Sequence, residues 1–159
     1  MTIKINTGLL PGDRVELCAS LTKVLADTYA LYLKTHGYHW NVRGANFSEL
    51  HALFMGQYTE MWQALDEVAE RIRALGEFAP QGYSAFANLT GIKDGDPEKD
   101  STGMLRELLE DHETVIAGLR NGIVVCEDAR DATSLDLMTQ RLAAHEKHAW
   151  MLRATLGGK

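Results

Sequence analysis

Residues 36–76, HGYHWNVRGANFSELHALFMGQYTEMWQALDEVAERIRALG, decide how the rest of the chain is read. Asn46 opens a helix, with Glu49 at the reciprocal capping position. Gly76 closes it. Between them Phe54, Tyr58, Met61, Leu65, Val68, Ile72 and Leu75 recur at alternating spacings of four and three. That is the pattern of a helix packed in a bundle. Ahead of it, Asn41–Asn46, with Gly44 inside, breaks a preceding helix. The stretch also holds two histidines, His39 and His51, and two carboxylates one turn apart, Asp66 and Glu70. Imidazole and carboxylate together suit ferrous iron.

Upstream, Pro11-Gly12-Asp13 starts a first helix, read with Asp13 as N-cap and Glu16 as its capping-box partner. Cys18, Leu21, Leu25 and Tyr32 carry its apolar stripe toward His39. Residues 1–10 read as a short flexible arm, and 11–159 as one bundle domain. Downstream, 77–100 is the only long connection, punctuated by Pro80, Gly82, Gly91, Gly95 and Pro97, with a short apolar helix expected at Tyr83–Leu89. A third helix begins near Ser101, its seam Leu105, Leu109, His112, Ile116, Leu119, Ile123 and Cys126. After a polar turn, Glu127–Thr133, the fourth carries Leu135, Met138, Leu142, His145, Ala149, Leu152 and Leu156, and Gly157-Gly158 ends it. Four long helices with one long middle crossover describe an all-α, ferritin-like four-helix bundle with a short extra helix in the crossover.

The bulk properties are those of one soluble domain: 159 residues, 45% hydrophobic and 24% charged. A net charge of −6 with no dense basic block argues against nucleic acid as the default partner. Cys18 and Cys126 form neither a CxxC motif nor a disulfide framework, and read as buried free thiols in a reducing cytosol. The first residues lack the apolar core of a signal peptide, and no stretch approaches 18 apolar residues, so neither secretion nor a membrane span is expected.

A ligand set alone is not a site. Ferritin-like di-iron sites within one bundle use Glu-x-x-His on two helices, and no histidine here has a glutamate three residues before it. His145-Glu146-Lys147-His148 also fails as HExxH, because its histidines are three apart. On the second helix His51 and Asp66 are 15 residues apart, which at helical rise is roughly 22 Å. His39 can fold back beside His51. One chain therefore has a histidine end and a carboxylate end that cannot share an ion. Asp66 and Glu70 also lie off the seam, on an outer face with Met55 and Trp62, which have no intrachain core to join. Antiparallel packing of two such helices about a two-fold axis would set His39 and His51 of one chain against Asp66 and Glu70 of the other. The plain alternative is a surface carboxylate pair and two helix-end histidines.

The combined pattern is recognisable. H-W-N-V-R-G from His39, F-x-x-L-H from Phe47 and D-E-V-A-E-R-I-R-A-L-G from Asp66 resemble the Dps miniferritins, the DNA-protection-during-starvation proteins, and the likeness runs on to K-H-A-W-M near Trp150. The resemblance implies a hollow homo-oligomeric shell, a dodecamer, with ferroxidase sites at its two-fold interfaces. The metal ligands would be His39 and His51 from one subunit and Asp66 and Glu70 from another. Iron would be oxidised from Fe2+ to Fe3+, preferentially by hydrogen peroxide rather than oxygen, and stored as ferric mineral. Such a protein would be cytoplasmic, or nucleoid-associated, and protective against oxidative stress. Trp40 resembles the family tryptophan near the site, with packing and electron donation both open as roles. Glu127, Asp131 and Asp136 fall where the family builds acidic three-fold pores that admit iron; for Asp136, an N3 capping role is the other reading.

The remaining histidines have structural readings. His112 and His145 fall on core seams, His148 sits beside Trp150, and His36, one turn before His39, reads as a helix-surface histidine, with lining the approach to the site as its other reading. The chain departs from the family's DNA-binding members in its termini. Only Lys4 precedes Pro11, and Lys159 alone is offered at the other end. Weak or absent DNA binding is expected; a DNA-condensing nucleoid protein with secondary iron chemistry is the alternative function.

Overall fold

The computed structural model describes residues 3–158, and these form five helices. They are α1 (Pro11–Asn41), α2 (Phe47–Leu75), α3 (Tyr83–Leu89), α4 (Ser101–Asp128) and α5 (Ala132–Thr155). Two antiparallel hairpins, α1–α2 and α4–α5, pack with α1 against α4, and the crossover with α3 joins them along the bundle. The architecture is the all-α four-helix bundle expected, with the short helix at the expected residues.

The helix ends follow local chemistry, with two departures. α1 begins at Pro11 rather than after Asp13, and the residue at its N-cap, Leu10, makes no side-chain cap. Proline suits the first helical position because it has no N–H to leave unsatisfied, so the helix starts three residues earlier than a capping box at Asp13 would place it. Asn46 occupies the N-cap of α2, yet its side chain makes no capping bond. The side-chain cap is found instead on α4, where Asp100 accepts from the Gly103 amide at 2.7 Å. Gly76 ends α2 in the left-handed conformation (φ 107°), which glycine adopts without steric cost.

The core runs the length of the bundle through Leu17, Leu21, Leu31, Phe54, Met61, Ile72, Met104, Leu108, Leu119, Met138 and Leu152. On α4 Leu105, His112, Leu119 and Cys126 of the expected seam are buried, and a second buried row lies beside them. Met104, Leu108, Val115 and Gly122 are buried, while Leu109, Ile116 and Ile123 are half-buried. Gly122 belongs to this second row: a Cβ there would lie 2.4 Å from Met138 Sδ and 2.7 Å from Ser20 Oγ. Its missing side chain lets α4 approach α1 and α5 closely. On α5 Leu135, Leu142 and Leu156 are likewise half-buried, while Ser134, Arg141 and His148 are buried.

Polar anchors tie the crossover to the bundle. The buried Asp27 carboxylate on α1 accepts from Thr90 Oγ1 at 3.0 Å and from the Gly91 amide at 2.8 Å. Phe86 of α3 stacks on Tyr29 with ring centroids 4.3 Å apart. At the bundle's other edge the arm lies against it: Leu9 packs on the core, and Ile5 covers Gly76, where a Cβ would meet its Cδ1. Met1 and Thr2 of the arm lie outside the described residues. Among the described residues, no helix is long and apolar enough to cross a membrane.

His112 and His145 are fully buried, as their seam positions require. Burial holds His112 well below the ordinary histidine range, and it takes His145 down to about 3, helped by the neighbouring charge of Arg141. Above about pH 6.5 both rings are neutral in folded and unfolded chains alike. As pH falls below that value, the unfolded chain accepts protons that the folded core refuses, down to about 3 for His145. Stability is therefore expected to drop between pH 6.5 and 4, by about 1.4 kcal/mol per pH unit from His145, with His112 acting in the same direction. Thermal unfolding across that range checks it, and replacing His145 by Phe should flatten the dependence.

Candidate metal centre

α1 ends where the Val42 amide bonds the Tyr38 carbonyl, and five residues, 42–46, turn the chain so that α2 runs back along α1. Gly44 supplies the positive φ (116°) that this turn needs. The reversal lays His51 against His39, and the two interlock. His39 Nδ1 lies 2.8 Å from the His51 carbonyl, and His51 Nδ1 lies 2.8 Å from the His39 carbonyl. The rings stack 3.6 Å apart at 20°. A carbonyl oxygen can only accept, so each Nδ1 carries the proton and donates it. Both Nε2 lone pairs are left available, the arrangement by which a neutral imidazole is oriented to bind a metal.

Aromatic side chains pack around this pair. Tyr58 meets His39 edge-on at 5.1 Å, Phe47 leans on His51 at 5.0 Å, and His36 stacks on Tyr58 at 3.9 Å. His36 is thus half-buried among aromatic rings rather than a free surface histidine, and burial, with His39 beside it, lowers its pKa. Trp40 packs on His36 at 4.3 Å and is 63% exposed.

Asp66 and Glu70 are exposed on the outer face of α2, and so are Met55 and Trp62, the latter 58% exposed. Their separation from His51 along one straight helix is roughly 22 Å. Accordingly, no three histidine, cysteine or carboxylate groups among the described residues of one chain converge to hold an ion. The chain thus presents two separate groups, a pair of oriented imidazoles and a pair of exposed carboxylates.

Comparison with known proteins places this arrangement in context. A ferritin-like domain model matches residues 18–158. DNA protection during starvation protein 2 of Bacillus anthracis is 34% identical over 86% of this chain and 93% of its own length. The chain belongs to the Dps miniferritin family. Two solved Dps structures superpose on it nearly end to end. The Vibrio cholerae O1 protein, described as a member of a broad superfamily of ferritin-like diiron-carboxylate proteins, has a TM-score of 0.92 at 29% identity, covering 98% of this chain and 99% of that one. DpsC from Streptomyces coelicolor has a TM-score of 0.93 at 30% identity, covering 98% and 92%.

Within this Dps chain the three acidic residues expected at a pore are not equivalent. Glu127 and Asp136 are exposed. Asp131 is buried and ion-paired with Arg71 at 2.6 Å, and Arg71 also reaches Ser134 Oγ at 2.8 Å. The charge of Asp131 is therefore spent in holding the α4–α5 turn against α2. Asp136 is the fifth residue of α5 and accepts from Gln140 at 2.7 Å, so it lies too far along the helix for the N3 capping role.

Sequence reading also passed over a buried polar group: Gln57 and Glu60 on α2 and Arg141 on α5, which meet His148 at mid-bundle. Gln57 lies midway between Phe54 and Met61 at spacings of three and four. A glutamine on an apolar stripe was the available signal. For the histidine pair, nitrogen NMR of labelled histidine should find both His39 and His51 as Nδ1–H tautomers, with Nε2 the nitrogen that shifts on adding Zn2+. An Nε2–H tautomer at either residue would contradict the geometry.

Proposed function

We propose that this protein is a ferroxidase and iron-storage miniferritin whose metal sites are completed between subunits. The carrying observation is the split of the ligand set. Two imidazoles are oriented with Nε2 free at one end of α2, and two exposed carboxylates stand on the outer face of the same helix, out of their reach. Trp62 and Met55 beside those carboxylates, together with Phe78 and Tyr83 at the crossover, are large apolar side chains left open to solvent. A two-fold contact through this face would bury them and bring His39 and His51 of one subunit to Asp66 and Glu70 of another. Likeness to Dps supports a hollow dodecameric shell as the final assembly.

At such a site iron is the substrate. Imidazoles hold Fe2+ without charge, and carboxylates favour the more highly charged Fe3+, so the mixed set tips the couple toward oxidation. Two ferrous ions supply the two electrons that reduce one hydrogen peroxide to two hydroxide ions, and no hydroxyl radical is released. The stacked pair, with His39 buried and His51 half-buried, excludes water from one side, and the exposed carboxylates can receive ions from solution. Ferric product would pass to the shell's cavity and be stored as mineral, with Glu127 and Asp136 as candidates for lining the inlet. Trp40 packs near the histidines, placed to screen the site. A cytoplasmic location fits this role.

The relatives named for DNA protection support the second reading, a nucleoid protein that coats DNA. The charge distribution opposes it. The net charge is −6, and in the arm only Lys4 offers a cation before Pro11. Phosphate contacts need clustered lysine or arginine.

The Asp66→Ala/Glu70→Ala double variant should assemble and keep its helicity, but its peroxide-driven Fe2+ oxidation, followed by absorbance after anaerobic loading, should fall to the protein-free rate. Wild type should oxidise rapidly with peroxide and slowly with air. Equal rates in variant and wild type would remove this site. In gel-shift titrations at neutral pH and moderate salt, duplex DNA should run free at near-stoichiometric protein, and a retarded band would favour the nucleoid reading.

A further inference from the structure

A run of oxidisable aromatic rings leads away from the histidine pair. Tyr58 meets His39 edge-on at 5.1 Å, and the Tyr32 ring stands 6.3 Å from Tyr58, again edge-on. Trp62 follows at 5.4 Å from Tyr32. Trp62 and Asp66 are one turn apart on α2 and line the same cleft. The run therefore leads from the imidazole end of the chain toward its carboxylate end. Tyr32 differs from the other members. Its phenol oxygen lies 3.3 Å from His36 Nδ1, so among the described residues it is the tyrosine of this run whose hydroxyl is hydrogen-bonded to a base.

We propose that Tyr32, with His36 as its proton acceptor, is a redox-active tyrosine reached from the iron site through Tyr58. The inference rests on the peroxide-driven oxidation proposed above and gives that reaction a second electron donor. Peroxide needs two electrons, and a site holding a single Fe2+ supplies one. That encounter cleaves the O–O bond and yields Fe3+, hydroxide and hydroxyl radical. An electron from Tyr32, passed by way of Tyr58, converts the radical to a second hydroxide. The phenolic proton moves to His36 Nδ1, leaving a neutral tyrosyl radical and an imidazolium. A later Fe2+ reduces the tyrosyl radical and becomes Fe3+, while the proton returns from His36 to the phenol. The sum is again two Fe2+ and one peroxide giving two Fe3+ and two hydroxides.

The surroundings fit. A phenol that loses an electron becomes strongly acidic, so a base already in place lets electron and proton leave together and avoids a high-energy cation radical. Burial raises the pKa of the Tyr32 phenol, and it enters the step protonated. His36 is packed against both Trp40 and Tyr58, which holds its Nδ1 at the hydroxyl. Tyr32 is half-buried, and Tyr29 adds a further ring at 6.0 Å, so a radical there is screened from solvent. Trp62 is 58% exposed and has no such screen. The steps between rings are within the range over which electrons tunnel between aromatic side chains. Tyr32 is therefore where the oxidising equivalent rests.

Electron paramagnetic resonance on rapidly frozen samples tests it. Assembled wild-type protein is loaded anaerobically with fewer Fe2+ ions than sites and mixed with hydrogen peroxide. The expected signal is a neutral tyrosyl radical that narrows when tyrosine is ring-deuterated and that couples to one exchangeable proton, the one on His36. Tyr32→Phe should lose this signal and release hydroxyl radical to a spin trap, and Tyr29→Phe should keep it. Should Tyr32→Phe not assemble, the exchangeable coupling in wild type decides, and its absence would overturn the assignment. Absorbance of the same wild-type samples separates the two readings. Oxidation at the protein-free rate would remove the ferroxidase site, and the relay with it. Fast oxidation without a protein radical would overturn the relay alone. So would a signal untouched by tyrosine deuteration, which belongs to tryptophan, or one that survives in Tyr32→Phe.

Discussion

An α-helix advances about 1.5 Å per residue, and this fixed rise governs how the chain can use its ligands. His51 and Asp66 share a helix that is straight and well packed, so no side-chain rearrangement can bring them together. The α1–α2 reversal resolves half of the difficulty by placing His39 on His51. The other half is left to the outer face of α2, where exposed carboxylates and apolar side chains stand together. Within one folded chain the two imidazoles and the two carboxylates stay apart.

The bundle's interior shows a second division of labour. At its ends the core is aliphatic, with Leu17, Leu21, Ile72 and Leu75 at one and Leu50, Phe54 and Met104 at the other. At mid-height it holds three histidines, a glutamine, and the clamped Glu60–Arg141 pair. Polar groups in such a place weaken a fold unless every one is satisfied, because the low dielectric that strengthens a made bond also penalises a missing one. The Glu60 end is fully partnered and the His112 end is not.

Much of this was legible beforehand because it depends on local pattern. The Phe54–Leu75 seam, the stop at Gly76 and the short helix at Tyr83–Leu89 are properties of contiguous residues. The outward position of Asp66, Glu70 and Trp62 follows from the same 3.6-residue period. Features set by distant partners were hidden. Asp131 is acidic and near a turn, which reads as surface; only Arg71, far away in the sequence, explains its burial. The second buried row of α4 includes Gly122, whose contribution is the absence of a side chain and so leaves no mark on a hydrophobic pattern. Pro11 outranked Asp13 as a helix start through backbone geometry rather than through capping.

The interlocked histidines have one property that a direct side-chain pair would lack. Each ring stacks on the other, but its hydrogen-bond partner is the other residue's main-chain carbonyl and not its imidazole. Replacing one histidine removes one ligand but leaves the carbonyl that steers the survivor in place. Each histidine therefore keeps its Nδ1 hydrogen-bond partner when the other is replaced. That gives the sequence room to drift at position 39 or 51 through intermediates that still hold a correctly aimed imidazole.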